Sequence, residues 1–278
     1  MAPTTIWFLA LVGIFSSVVQ CAPSSLLFPK DASSLDKPVL SPPVPDLSKD
    51  LLNNLRDLLN SDSIWQPSLT NQDCKDWFQK EGFKLEDIET YNATYGDCEV
   101  PWTMCRHKSA PYGMKTTSII WGRVPVRLRS YIRHVIALPA KINGLPEAIN
   151  DNDNVVITGN ARFSQILAAV GKSVDKYGFP NTTGLYHNSF EWLNAYAHDK
   201  AVPSAVAAID QTENLAQFII LALYEKRVRG GVEEQIPGWE SISHGYRQVI
   251  KNAYRDSWGD KEGVLCQKRL NDSDIISV

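Results

Sequence analysis

The sequence holds no run of basic residues, and its formal net charge is -3 over 278 residues. Nothing in it is suited to tracking a phosphate backbone, so nucleic acid is excluded as an expected partner. Nor does any apolar run reach the roughly 20 residues of a membrane-spanning helix, which excludes a membrane span of that kind. The run at residues 6–19 falls short of that length and leads into Gln20-Cys21-Ala22-Pro23. It predicts a secretory signal peptide cleaved after Cys21, although no Lys or Arg precedes the run. An intact His-Glu-x-x-His motif is also missing, which excludes a zinc-peptidase site of the usual kind.

Cysteine is sparse. Of five cysteines, cleavage after Cys21 leaves Cys74, Cys98, Cys105 and Cys266. An even number in a secreted chain predicts two disulfides, with three connectivities open. A zinc knuckle is disfavoured, because Cys98 and Cys105 lie too far apart in sequence. A bridge reaching Cys266 would tie the C-terminal part back to the N-terminal half.

What the sequence does contain is an ordinary globular balance, 44% hydrophobic and 21% charged. After the leader, residues 22–62 comprise a Pro/Ser-rich segment, expected to be disordered or propeptide-like as far as about residue 45, and an amphipathic helix carrying Leu47, Leu51, Leu55 and Leu58. Residues 63–268 are long enough to bury a core of their own. Within them, residues 73–110 read as loop-rich and structural, residues 153–158 as a short strand bounded by Asn-Asp turns, and residues 161–176 as the cleanest amphipathic helix. A last helix is expected over 238–256. Lys268-Arg269 is similar to a kexin-type processing signal and is followed by a polar tail, 269–278. Sequons at Asn92, Asn181 and Asn271 are expected to carry glycans on surface segments.

Residues 186–217 concentrate the chemistry. His187, Glu191, Asn194 and His198 are spaced four, three and four apart, so a continuous helix would set them on one face. Glu213 begins an apolar helix that could face them. The window His187-Asn188-Ser189-Phe190-Glu191 matches a zinc-peptidase helix at its first histidine only. Asn188 occupies the general-base position and cannot take a proton from water near neutral pH. His187, Glu191 and Glu213 remain as candidate ligands for zinc or another divalent metal.

Two resemblances follow. Tyr95-Gly96-Asp97-Cys98, Pro101-Trp102, Cys105-Arg106, Gly122-Arg123-Val124-Pro125 and Leu128-Arg129-Ser130-Tyr131 resemble the secreted fungal conidiation-specific protein 13 family. His187, Trp192-Leu193-Asn194, Val202-Pro203 and Glu213-Asn214-Leu215-Ala216-Gln217 are similar to lethal-factor-type zincins, which implies that Glu213 stands in the place of a third metal ligand. The same resemblance implies that Gln217 replaces a second acid and Val206 an oxyanion-steadying tyrosine. The implied fold class is α+β, mostly helical, with a zincin-like core and a loop-rich, disulfide-bonded N-terminal part. The implied function is that of a secreted, non-catalytic zincin-like protein acting on an extracellular or cell-wall partner, at the cell surface or in spore development. Two alternatives stay open: a metal-dependent hydrolase using a His/Glu/Glu set, and plain surface ion pairing of His187 with Glu191 and of Glu213 with an arginine.

Overall fold

Short β-branched runs, each followed by a turn, build a mixed sheet in the first half of the computed structural model, which describes residues 35–58, 60–139, 146–180, 182–255, 258, 266 and 269–278. Helix α1 (Ser48–Asn54) precedes strands β1 (Asn60–Ile64) and β2 (Leu69–Asn71). Helix α2 (Gln72–Lys80) then leads to the long hairpin of β3 (Ile88–Tyr95) and β4 (Cys98–His107). Helices α3 (Met114–Gly122) and α4 (Val126–Arg129) are followed by β5 (Val135–Leu138), β6 (Ala148–Asp151), β7 (Asn154–Thr158) and helix α5 (Phe163–Tyr177). The remainder is helical, α6 (Phe190–His198), α7 (Gln211–Arg227), α8 (Gly231–Gln235) and α9 (Ser243–Arg255), until the closing strand β8 (Ile275–Ser277). Among the described residues, no helix is long and apolar enough to cross a membrane.

One sheet runs in the order β1-β3-β4-β5-β7-β6, and β2 pairs separately with β8. The pairs β4/β5 and β5/β7 are parallel, and the outer pairs are antiparallel. A parallel neighbour requires a crossover, which α3 and α4 supply between β4 and β5. Asn152 and Asp153, with φ of 49° and 64°, make the tight turn between β6 and β7 that the Asn-Asp cluster predicts.

The central strands are buried on both faces. Val135, Val155 and Ile157 join the large core beneath α5, whereas Ile136, Leu138 and Val156 join a smaller core with Trp77 and Phe78 of α2. Alternate residues therefore serve two cores, and the strands read as unbroken apolar runs. Residues 73–110 correct the loop-rich expectation, since they form α2 and the β3–β4 hairpin. Their sequence hides the strands because Thr90 and Thr103 are buried among the apolar positions. The disulfide Cys74–Cys105 joins α2 to β4 inside the smaller core, and Cys98–Cys266 links the hairpin turn to the C-terminal segment.

Residues 95–102, 124 and 129 meet at one buried guanidinium. Arg129, fully buried, donates from Nε to the Val124 carbonyl at 2.7 Å and from Nη2 to Asp97 at 2.5 Å. It lies against both Tyr95 and Trp102, 4.6 and 4.7 Å from their ring centroids, where the two rings meet edge to face. The Tyr95 hydroxyl donates to the Ser118 carbonyl at 2.7 Å, and the Cys266 amide donates to the Asp97 carbonyl at 3.0 Å. Arginine alone offers a flat cation with enough donors for such a place.

The segment 269–278 is docked into the domain and is no free polar tail. Arg269 lies over Trp102 and donates to the Pro101 carbonyl at 2.8 Å, while residues 275–277 pair with residues 69–71. His134 holds the middle of this segment. Its Nδ1 is 3.0 Å from the Thr103 carbonyl, and the Ser273 amide donates to its Nε2 at 3.0 Å, so the ring is the neutral Nδ1–H tautomer. Burial lowers the pKa of His134 against the opposing pull of Asp272, the Thr103 carbonyl and Asp73, with Arg269 pushing the same way as burial. The unfolded chain therefore takes up this proton at a higher pH than the folded one. The contribution is complete above the ordinary value of 6.5 and is lost as pH falls toward the lowered folded value. Denaturation between about pH 7.5 and about pH 5 should accordingly weaken the wild type more than a His134→Gln variant. Equal losses in the two proteins would contradict this role.

Candidate functional site

Helices α5 and α7 pack closely because Gly171 lies against the backbone of α7, where an added Cβ would come within 3.1 Å of Ala216 Cα. Asp210 caps α7 by accepting from the Glu213 amide at 2.7 Å, which sets Glu213 in the first turn, where the helix dipole favours a carboxylate. Across from it on α5, Lys172 Nζ stands 2.6 Å from Glu213 Oε1, with both side chains largely sheltered. This ion pair lies on the wall of a cavity of about 320 Å³, shared with Ala168, Val206, Gln217 and Leu221.

One lip of that cavity is formed by Val44, Pro45, Asp46 and Leu47, the end of an N-terminal segment that runs along residues 202–203. Leu40 donates to the Val202 carbonyl at 2.8 Å, Val202 to Pro38 at 2.9 Å, and Val44 to Pro203 at 3.0 Å. Lys37 reaches the carbonyls at Tyr196 and Asp199, where α6 ends. Asp46 accepts from the hydroxyls of Ser48 and Ser164 at 2.7 and 2.8 Å. The part of the Pro/Ser-rich segment described here is thus ordered, because paired carbonyls and amides replace the apolar period that the sequence lacks.

The window 187–191 does not lie on one helix. His187 belongs to a 3-10 turn, Tyr186–Asn188, and Ser189 is extended with φ −71° and ψ 153° before α6 begins. The Ser189 hydroxyl accepts from the Trp192 amide at 3.2 Å, so the chain restarts with a capped end. A four-residue spacing across such a break carries no common face. His187 instead turns to α5, where Asp175 meets its Nδ1 at 2.5 Å and accepts from its amide at 2.8 Å. Asn188 and Glu191 open onto a different cavity from the one that Glu213 lines. His198 Nδ1 lies 2.8 Å from its own helix's Asn194 carbonyl, and its ring neighbours His244 at 5.3 Å.

Three of the positions singled out in the sequence, Val206, Glu213 and Gln217, share the first cavity. His187 and Glu191 do not join them there, and among the described residues no three His, Cys, Asp or Glu side chains stand together as a metal-binding group. The residues that the sequence left unmarked are Lys172 and Asp175. Both are charges within the helix 161–176, and their proximity to a buried seam was the available signal. Asp199 is a further buried acid, raised to about 6 by burial against the lowering effect of the Gly245 and His244 amides, which it accepts at 2.9 and 2.8 Å to cap α9.

Of the sequons, Asn271 is exposed. Asn92 departs from the surface-turn expectation, being half-buried within β3 with its Oδ1 accepting from Thr103 at 3.2 Å. Asn181 lies outside the described residues.

Comparison with known proteins adds three findings. The family profile of conidiation-specific protein Con-13 matches residues 46–274. The chain is 25% identical to conidiation-specific protein 13 of Neurospora crassa over 185 residues, which cover 66% of this chain and 52% of that protein. The match thus spans about half the length of that curated relative. No solved structure is significantly similar.

Proposed function

We propose a binding role, without catalysis, for this chain, which belongs to the conidiation-specific protein Con-13 family: a secreted protein that acts in conidiation by engaging a partner at the fungal cell surface or in the extracellular space. The link to conidiation rests on the name of the N. crassa relative. Two disulfides support an oxidising, extracellular setting.

The observation that carries the non-catalytic role is the Lys172–Glu213 ion pair. A zinc-peptidase helix presents two imidazoles four residues apart toward its third ligand. On the helix that faces Glu213, two cavity-lining positions four residues apart are Ala168 and Lys172. A methyl group binds no metal, and an ammonium already supplies the positive charge that a metal would bring to Glu213. This supports a cleft without a metal-ligand set opposite Glu213, and so the non-catalytic reading. The apolar walls and rim, Val206 and Ile209 among them, would then serve the partner.

Metal analysis of secreted, chelator-free protein should find zinc, manganese and iron each far below one per chain, and peptidase activity no higher than in an Asn188→Ala variant. A metal content near one per chain that disappears in His187→Ala would sink the proposal and restore the hydrolase alternative with its His187, Glu191 and Glu213 set.

A further inference from the structure

The 3-10 turn Tyr186–Asn188 and the start of α6 face one side of α9 across a second cavity, of about 600 Å³. Its walls are polar. Asn188, Gln248 and Asn252 bring side-chain amides, and Thr182 and Thr183 bring hydroxyls. Glu191 and Lys251 add one charge of each sign, and neither makes an ion pair with a described residue.

The floor is fixed. The Tyr186 ring stacks on Phe179 with centroids 3.7 Å apart, and its hydroxyl oxygen accepts from Gln248 Nε2 at 2.7 Å and from Asn252 Nδ2 at 3.4 Å. With those nitrogens turned to the tyrosine, the amide oxygens of Gln248 and Asn252 remain as acceptors for a ligand. Glu191 adds further acceptors, while Lys251, Asn188 and the threonines add donors.

This mixture discriminates between ligand classes. An apolar ligand would leave the amide oxygens of Gln248 and Asn252 unpaired, which is unfavourable for each group so buried. An anion would meet Glu191 as well as Lys251, so the lining offers it no net attraction. A neutral polyhydroxylated ligand both donates and accepts at each hydroxyl and matches the wall group by group. We infer that this cavity is a binding site for a neutral oligosaccharide, separate from the α5–α7 cleft and independent of its metal content. Thr182 and Thr183 belong to the sequon Asn181-Thr182-Thr183, so the chain's own glycan is a second source of the same chemistry.

Calorimetric titration with N-acetylated chitohexaose, laminarihexaose and maltohexaose, on the secreted protein before and after endoglycosidase trimming, tests the site and its source. At least one oligosaccharide should bind, and Asn188→Ala and Glu191→Gln should each weaken it by about tenfold. Both side chains are exposed, so their replacement leaves the core intact. Binding before and after trimming identifies a free saccharide as the ligand; binding only after trimming identifies the resident glycan as the occupant. Failure of all three probes on the trimmed protein, or binding that neither variant changes, overturns the inference.

Discussion

Replacing Arg129 with methionine is expected to destabilise the fold by about 3 to 5 kcal/mol, the range for removing one partner of a buried ion pair. In a domain of this size that corresponds to a fall in Tm of roughly 6 to 20 °C. The loss has two sources. Asp97 would keep its charge beside the Cys98–Cys266 bridge with no guanidinium to face it. Tyr95 and Trp102 would lose the flat cation packed against both rings. Arg129→Lys should recover little, since a single ammonium cannot serve both Val124 and Asp97 in one plane. Adding Asp97→Asn to Arg129→Met should restore part of the loss, because it removes the stranded charge. Calorimetry on oxidised protein measures all of these variants. A Tm within about 2 °C of wild type for Arg129→Met would show that the knot contributes nothing to stability.

The second large effect belongs to the disulfides, and it is an order as well as a magnitude. Cys98–Cys266 closes 168 residues and Cys74–Cys105 closes 31. In the chain-entropy account these loops are worth about 5 and about 3.7 kcal/mol. The double alanine variant at 98 and 266 should therefore unfold at a lower denaturant concentration than the one at 74 and 105. The reverse order would mean that packing in the smaller core, where both Cys74 and Cys105 are fully buried, outweighs loop closure.

The features that the sequence made legible are those whose signal is local. Phe163, Ile166, Leu167, Val170 and Val174 mark α5 at helical spacing, and that helix is found at Phe163–Tyr177. Val155, Val156 and Ile157 mark β7 between its turns. Four cysteines foretold two bridges, but their pairing depends on sheet order, which no spacing carries. The site was harder to read for the same reason. Serine suits both a helix surface and a helix cap, so Ser189 concealed the break that separates His187 from Glu191. The Lys172–Glu213 pair joins residues 41 apart, and only the close passage of α5 and α7 brings them together. Glu213, Gln217 and Val206 line one cavity, and the charge that meets Glu213 there comes from α5, not from the 187–198 segment where the sequence suggested looking.

The docking of residues 269–278 also constrains when the molecule can mature. Residues 69–71 find their strand partner only when residues 275–277 exist, and the ring of His134 is covered by Ser273. A ribosome delivers the strand partners about 200 residues apart and Ser273 139 residues after His134, so the hairpin half must wait, partly unpaired, for residues 273–277. Vectorial folding of the first half is therefore closed off, and contacts of such long range slow the final step. Cellular quality control would meet an unpaired edge at residues 69–71 and an uncovered His134 until that moment, and a truncation that removes residues 273–277 would leave the molecule in that state.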